Sequence, residues 1–161
     1  MSKCVFAGTF DPFTIGHADV VDKCLQIFDE VVVAILINKD KKQLFQADVR
    51  ENMIKSAYKN NDRVKVVSYD GLLVELLEKE NTNVCVRGVR NSVDFEYEKN
   101  LHYVNADLKK DVVTIFIQAE QKHLHVSGSA VRTLLAFGKP VDDYLPEEVA
   151  EIVKNYLKEE K

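Results

Sequence analysis

The residues best suited to chemistry lie near the N-terminus, in the segment Gly8-Thr9-Phe10-Asp11-Pro12-Phe13-Thr14-Ile15-Gly16-His17. The apolar run at 4–7 predicts a buried strand before this segment, and the apolar spacing over 18–28 predicts a helix after it. A turn that leads from a strand into a helix presents free backbone N–H groups to an anion. Thr9 adds a hydroxyl, and His17 adds an imidazole where the helix begins. The segment therefore predicts a site for the phosphate of a nucleotide.

A second group of candidate residues follows the fourth predicted strand. Arg87-Gly88-Val89-Arg90 places two guanidinium groups around a glycine, and a guanidinium fork matches phosphate oxygens in shape and charge. A lone arginine at a strand end is usually a solvated side chain, but this pair beside a glycine favours phosphate contact. After the second predicted strand, residues 38–42 include three lysines. One of them is expected to reach a second phosphate, although spacing does not distinguish between them.

Other polar patterns are less specific. Ser127-Gly128-Ser129 at a helix start offers hydroxyl and N–H groups to an anion, but a serine there is also an ordinary helix cap. The segment is not a Gly-x-Ser-x-Gly nucleophile elbow, and the chain has no Walker A sequence. Alternating acids at Asp94, Glu96 and Glu98 are typical of a solvated helix face. The histidines at 102, 123 and 125 lack partners at ligand spacing, so no metal site is predicted.

The elements that must position these residues alternate along the whole chain. Apolar, β-branched runs predict strands at 4–7, 31–37, 64–67, 84–86 and 112–117. Helical patterns occupy 16–28, 48–58, 72–80, 92–108 and 127–137, and a last helix begins at Pro146. Asp48 and Glu51 resemble a capping box at the start of the second helix. Gly138 and Pro140 mark the end of the fifth helix.

This alternation predicts the fold class. Continuous apolar strands separated by helices form a parallel sheet covered on both faces. We predict one doubly wound, Rossmann-like α/β domain over residues 1–161, with strand order 3-2-1-4-5 and a C-terminal helical extension. In that order the first and fourth strands are neighbours, and the turns after them diverge to leave a crevice at the carboxyl edge. The crevice would collect Thr9, His17, Arg87 and Arg90.

Net charge, cysteine content and hydropathy indicate which partners and which compartment to expect. The 161 residues carry a formal charge of −4, so any nucleotide must be held by local cations rather than by a general field, and no nucleic-acid partner is expected. Cys4, Cys24 and Cys85 have no Cys-x-x-Cys spacing and are predicted to be small buried side chains in a reducing compartment. The sequence shows no signal-peptide pattern and no run of membrane-spanning length. These features predict a cytoplasmic protein without a membrane partner.

Taken together, the motifs resemble those of the bacterial phosphopantetheine adenylyltransferase family. The Thr-x-Gly-His signature alone marks only the wider nucleotidyltransferase superfamily, but the combination of motifs is specific. The resemblance covers nearly the whole chain and rests on Gly8–Pro12, Thr14–His17, Arg87–Arg90, the run Asp94-Phe95-Glu96-Tyr97-Glu98, Lys41-Lys42 and Asp143-Tyr144-Leu145-Pro146. It implies transfer of AMP from ATP to 4′-phosphopantetheine with Mg²⁺, giving 3′-dephospho-coenzyme A and pyrophosphate during coenzyme A biosynthesis. It also implies a homohexamer and coenzyme A as a further ligand.

The resemblance also implies a role for each matching residue. His17 would stabilise the charge of the reacting phosphoryl group, and Thr9, Lys41 and Arg90 would complete the catalytic set. The acceptor would be held by Thr9, Lys41, Leu73 and Arg87. The residues that would bind ATP are Thr9, Phe10, His17, Gly88, Val89, Arg90, Glu98, His123, Leu124, His125, Val126, Ser127, Gly128 and Ser129. The chain departs from the family's usual residues at Ala7, Leu124, His125 and Gly128.

Three alternatives remain open at the level of the sequence. A glycerol-phosphate cytidylyltransferase or a nicotinate-mononucleotide adenylyltransferase would share the first motif, but the acidic and aromatic run at 94–98 argues against both. A non-catalytic nucleotide sensor would share the fold. The intact residues His17, Lys41, Arg87 and Arg90 argue against the sensor.

Overall fold

The fold of the protein is described from a computed structural model, which covers residues 1–37, 40 and 42–159. The strands are β1 (Lys3–Gly8), β2 (Glu30–Leu36), β3 (Val64–Tyr69), β4 (Val84–Val89) and β5 (Val113–Gln118). The helices are α1 (Ile15–Ile27), α2 (Ala47–Ala57), α3 (Leu73–Lys79), α4 (Ser92–Leu108), α5 (Gly128–Ala136) and α6 (Glu147–Glu159). Single 3₁₀ turns lie at Gln121–His123 and Asp142–Tyr144.

The five strands form one parallel sheet in the order β3-β2-β1-β4-β5, which confirms the predicted fold class and strand order. The pairing of β1 with β4 is short: it comprises Val5 with Cys85 and Phe6 with Val86. Beyond those pairs β1 continues beside β2 to Gly8, while β4 continues beside β5 to Val89. The two central strands therefore separate at their carboxyl ends, and this separation forms the crevice.

Strands β1 and β2 are buried on both faces because their consecutive side chains alternate between two hydrophobic clusters. In β1, Cys4 and Phe6 join the larger cluster, and Val5 and Ala7 join the smaller cluster with α3. Cys4, Cys24 and Cys85 are free and buried, as predicted. Within the residues that the structure describes, no helix is long and apolar enough to cross a membrane.

Two local predictions were wrong. Arg87, Gly88 and Val89 belong to β4 rather than to a loop after it, because the ladder with β5 extends to Val89. The predicted capping box at α2 does not form: the helix begins at Ala47, so Asp48 already lies in its first turn. Glu51 instead contacts Lys55 and Ser68.

Candidate active site

A cleft of about 500 Å³ opens at the carboxyl edge of the sheet, where β1 and β4 separate. It is bordered by the turn after β1, the end of β4, the start of α4 and the start of α5. The structure brings most of the predicted site residues to its walls: Thr9, Phe10, His17, Arg87, Gly88, Val89, Arg90, Glu98, His123, Val126, Ser127, Gly128 and Ser129.

Other predicted site residues lie elsewhere. Leu73 is buried in the smaller hydrophobic cluster beside the sheet. Leu124 is partly exposed and His125 packs its ring against Tyr144, and neither lines the cleft. Lys41 falls outside the described residues, whereas Lys42 lines the cleft.

Phe10 packs inside the turn after β1, against Gly8 and His17. Its backbone has a φ of 50°, and the residue is only 2% exposed. The ring folds back over Gly8, where an added Cβ would lie 3.0 Å from the Phe10 Cζ atom. The same ring meets the His17 imidazole edge-on, with 5.0 Å between their centres. Phe10 therefore acts as a packing platform for His17, and glycine at position 8 leaves room for it.

The hydrogen bonds of His17 define which of its ring nitrogens carries the proton. The backbone N–H of Thr14 donates to Nδ1 of His17 at 3.0 Å, while the Thr14 hydroxyl accepts a bond from the His17 backbone N–H at 3.3 Å. These reciprocal bonds cap helix α1. Since Nδ1 is an acceptor, the proton of the neutral ring lies on Nε2. Burial and the positive charge of Arg90 lower the pKa of His17 to about 4, so at neutral pH it is an uncharged donor.

Both arginines of the Arg-Gly-Val-Arg motif are held by acids of α4. The Arg87 guanidinium makes a two-point contact with the Glu98 carboxylate and also donates to the Ala7 carbonyl at 2.8 Å. Arg90 donates from Nε and Nη2 to the Asp94 carboxylate at 2.8 and 3.2 Å. Two-point pairing fixes the plane of a guanidinium as well as its position.

The prediction of a solvated acidic face on α4 was therefore wrong for Asp94 and Glu98. Residues four apart on a helix share a face, and here that face borders the cleft. Glu96 alone follows the prediction, since it is largely exposed and pairs with Lys99.

At the start of α5, Ser127 takes the ordinary role of a cap. Its hydroxyl accepts a hydrogen bond from the backbone N–H of Ala130 at 3.0 Å. Gly128 allows a close approach instead: an added Cβ would lie 3.1 Å from the carbonyl oxygen of Asp11 and 3.0 Å from Nη1 of Arg132. The start of α5 is thus packed directly against the turn after β1.

Arg132 and Asp11 are site residues that the sequence analysis missed. Arg132 lines the cleft and donates from Nη1 to the Asp11 carbonyl at 2.6 Å and from Nη2 to the Ser129 hydroxyl at 3.0 Å. The Asp11 carboxylate is 3.9 Å from Arg132 and already accepts bonds from the backbone N–H groups of Leu44 and Phe45. Helical spacing contained the signal for Arg132, since it lies three residues after Ser129 on the same face of α5.

One cluster near the cleft joins Asp19 to two residues about a hundred positions further along the chain. Asp19, Glu120 and His123 place one potential ligand atom each within 4.8 Å of one another. Nδ1 of His123 is buried and, among the described residues, has no hydrogen-bond partner. The Lys23 ammonium already pairs with Asp19 at 2.9 Å, so the carboxylate has its cation within the chain.

Comparison with known proteins agrees with this geometry. The profile of the family described as cytidylyltransferase-like matches residues 5–134. A crystal structure from Vibrio parahaemolyticus, provisionally named a nicotinate-nucleotide adenylyltransferase, has the same fold, with a TM-score of 0.73 over 96% of this chain and 93% of that one. The two sequences are only 20% identical, so that likeness concerns the fold alone. Fold and profile together define a nucleotidyltransferase of the cytidylyltransferase-like class.

Sequence relatives specify the family more narrowly. The phosphopantetheine adenylyltransferase of Francisella tularensis subsp. mediasiatica is 45% identical over 157 residues, which cover 96% of this chain and 97% of that protein. The enzyme of the same name from Porphyromonas gingivalis W83 is 44% identical over 143 residues, covering 89% and 93%. That from Clostridium beijerinckii is 37% identical over 149 residues, covering 92% and 94%. The chain belongs to the phosphopantetheine adenylyltransferase family, which confirms the resemblance of its motifs.

Proposed function

We propose that the protein transfers AMP from ATP to 4′-phosphopantetheine and releases 3′-dephospho-coenzyme A and pyrophosphate. The observation that carries the proposal is the meeting of His17, Arg87 and Arg90 at one cleft, where β1 and β4 separate. The family relationship supports the same reaction.

The acceptor brings its own nucleophile to this reaction. A phosphate monoester has a second pKa near 6 and is mostly dianionic at neutral pH, so its oxygen attacks the α-phosphorus without a general base. A P–O bond forms there while the bond to the β-phosphate oxygen breaks, and pyrophosphate leaves with that electron pair. The carboxylates on the described cleft walls fit this scheme. Asp11 accepts two backbone N–H groups, and Asp94 and Glu98 hold arginines.

Catalysis then depends on aligning two anions and on stabilising the charge of the transferring group. We assign the second task to the Nε2–H of His17, a neutral donor that the Thr14 bond orients. Thr9 and Arg90 share this region of the cleft and would contact the phosphoryl oxygens. Arg87 and Lys41 would hold the phosphate of the acceptor.

The remaining cations and helix starts suit the triphosphate of ATP. We assign its binding to Gly88, Val89, the segment Val126–Ser129 and Arg132, because these residues all line the cleft. ATP enters as its Mg²⁺ complex in this proposal. The engagement of Asp11, Asp94 and Glu98 within the chain supports a metal that arrives on the phosphates.

The surface of α4 supports the expected homohexamer. None of the residues of α4, all of which the structure describes, is buried. The exposed side chains include Val93, Tyr97, Tyr103, Val104 and Leu108. Apolar patches of this kind mark interaction surfaces, and we assign this one to contacts between copies of the chain. The free thiols of three buried cysteines are compatible with the proposed cytoplasmic location.

The test is incubation of the purified protein with ATP, Mg²⁺ and 4′-phosphopantetheine, with mass detection of dephospho-coenzyme A. We expect product with ATP and little with CTP, and none when nicotinate mononucleotide replaces the acceptor. Preference for CTP would indicate a cytidylyltransferase, and use of the mononucleotide would indicate the other adenylyltransferase. Nucleotide binding without turnover would support a sensor and contradict the proposal.

A further inference from the structure

Arg50 is a buried cation that the proposed reaction does not use. It lies in α2, and only 2% of the residue is exposed. Its Nε donates to the Phe45 carbonyl at 2.9 Å, and its Nη1 donates to the Thr9 carbonyl at 2.7 Å. A buried guanidinium destabilises a fold unless its charge and N–H groups are compensated. Here the compensation comes from two backbone segments that border the cleft.

Asp11 lies in the turn after β1 and contacts residues 44–45 from there. One of its carboxylate oxygens accepts a hydrogen bond from the Leu44 N–H at 2.8 Å, and the other accepts from the Phe45 N–H at 2.9 Å. Asp11 is itself 4% exposed. We call Asp11 and Arg50, with these four hydrogen bonds, the Asp11–Arg50 brace. The brace ties the turn after β1 to residues 44–45.

Residues 44–45 end the segment that carries the lysines of the site. This segment runs from the end of β2 to the start of α2 and includes Lys41 and Lys42. Its other end is fixed where the Ile37 N–H donates to the Tyr69 carbonyl at 3.0 Å. Lys42 lines the cleft together with Thr9. The brace therefore joins the Thr9 turn to the segment that brings Lys42 to the same cleft.

We propose that Arg50 is a positioning residue that sets the distance between the Thr9 turn and the lysine segment, and so controls affinity for the phosphate-bearing acceptor. This inference rests on the proposed function, in which Thr9 and Lys41 contact that acceptor. The guanidinium fork holds two carbonyls at once, whereas a lysine ammonium on a flexible stem lacks that fixed geometry. Small displacements of substrate-holding groups have large kinetic effects.

The test compares Arg50→Lys with the wild type by measuring KM for each substrate. We expect KM for 4′-phosphopantetheine to rise by about tenfold or more and KM for ATP to change by less than about twofold. A merely structural role would lower thermal stability without this split between substrates.

Arg63 provides a matched control because it also holds backbone carbonyls. Its Nε donates to Asp29 at 3.0 Å, and its Nη2 donates to Leu25 and Phe28 at 2.6 and 2.7 Å, at the opposite edge of the sheet. Arg63→Lys is expected to reduce thermal stability and leave both KM values unchanged.

A second variant changes the carboxylate of the brace and serves as the test if Arg50→Lys does not fold. Asp11→Asn keeps one carbonyl oxygen and loses the other acceptor, so it should raise the acceptor KM in the same direction. An unchanged acceptor KM in a folded variant, an equal rise in both KM values, or the same rise in Arg63→Lys would overturn the inference. Wild-type protein that makes no dephospho-coenzyme A would instead contradict the proposed function.

Discussion

The backbone N–H of Thr14 donates to Nδ1 of His17 across 3.0 Å, so the residue that caps α1 also fixes the tautomer of the imidazole. One local hydrogen bond thereby connects helix initiation with the chemistry of the cleft. Because Phe10 and Phe13 pack on the same ring, at 5.0 and 5.6 Å between centres, the imidazole is held in orientation as well as in protonation state.

His17→Ala is expected to lower kcat by roughly a hundred- to a thousandfold, the usual effect of losing a preorganised donor to a developing oxyanion. The dissociation constant for ATP should change far less, because the other cleft residues remain. Turnover and calorimetry on the same preparation separate these two quantities. An unchanged kcat would remove His17 from the mechanism.

The depressed pKa of His17 predicts a stability effect in mild acid. Its value of about 4 lies below the ordinary 6.5, so the unfolded chain takes up this proton first as the pH falls. The free energy of unfolding should therefore decrease between about pH 6.5 and 4, by up to about 3 kcal/mol relative to His17→Asn. Urea titrations of both proteins across this range measure the difference. Parallel profiles would contradict the assignment.

Because Glu98 pairs with Arg87, we expect removal of its negative charge to lower the stability of the protein. Glu98→Gln leaves a largely buried guanidinium without its counter-charge, and we expect the free energy of unfolding to fall by about 1–3 kcal/mol. Glu96→Gln is a matched control on the same helix, because the Glu96–Lys99 pair is exposed and should contribute less than about 1 kcal/mol. Equal losses in the two variants would show that the Arg87–Glu98 pair stabilises the protein no more than the exposed pair does.

The lysine segment is tested by comparing two alanine variants. For Lys41→Ala we expect impaired use of 4′-phosphopantetheine with ATP affinity largely retained. Lys42→Ala tests whether the neighbouring lysine, which lines the cleft, shares this role. Calorimetry with ATP and with the acceptor distinguishes the substrates. Loss of ATP binding in Lys41→Ala would exchange the two substrate assignments.

The close packing around Gly128 predicts that adding a side chain at the start of α5 lowers stability. An added Cβ lies 3.1 Å from the Asp11 carbonyl oxygen and 3.0 Å from Nη1 of Arg132, so Gly128→Ala should lower stability by about 1–2 kcal/mol. Ser129→Ala, next in the same helical turn, removes a hydroxyl without adding bulk and serves as the control. Thermal melts compare the two, and equal stability of Gly128→Ala and wild type would mean that the turn yields freely.

The fold was predictable because its signals are local and repeated. Each strand is rich in apolar, mostly β-branched residues, and the helical pattern from Ser92 to Leu108 predicted the bounds of α4 as the structure has them. The placement of Leu73 was not accessible in this way, since it depends on which face of the sheet α3 covers. The capping-box prediction at Asp48 was wrong because α2 begins at Ala47, one residue before Asp48.

Most members of the candidate site were predictable from the sequence, but their pairings were not. The carboxyl ends of neighbouring parallel strands lie at the same edge of a sheet, and that rule alone predicted that His17, Arg87 and Arg90 would border one crevice. The pairing of Arg87 with Glu98 depends on how α4 packs beside β4, and the contact of Arg132 with the Asp11 carbonyl depends on the approach of α5. Such long-range geometry leaves no mark in residue spacing.

The two ion pairs with α4 have a consequence for how anions enter the cleft. A phosphate that binds Arg87 or Arg90 has to share the guanidinium with a resident carboxylate or displace it. When the substrate binds, its phosphate then replaces a carboxylate as the partner of an arginine, rather than binding to an unpaired positive charge. Its dependence on ionic strength should accordingly be shallower than the number of arginines alone suggests, since much of their field is already cancelled before a substrate arrives.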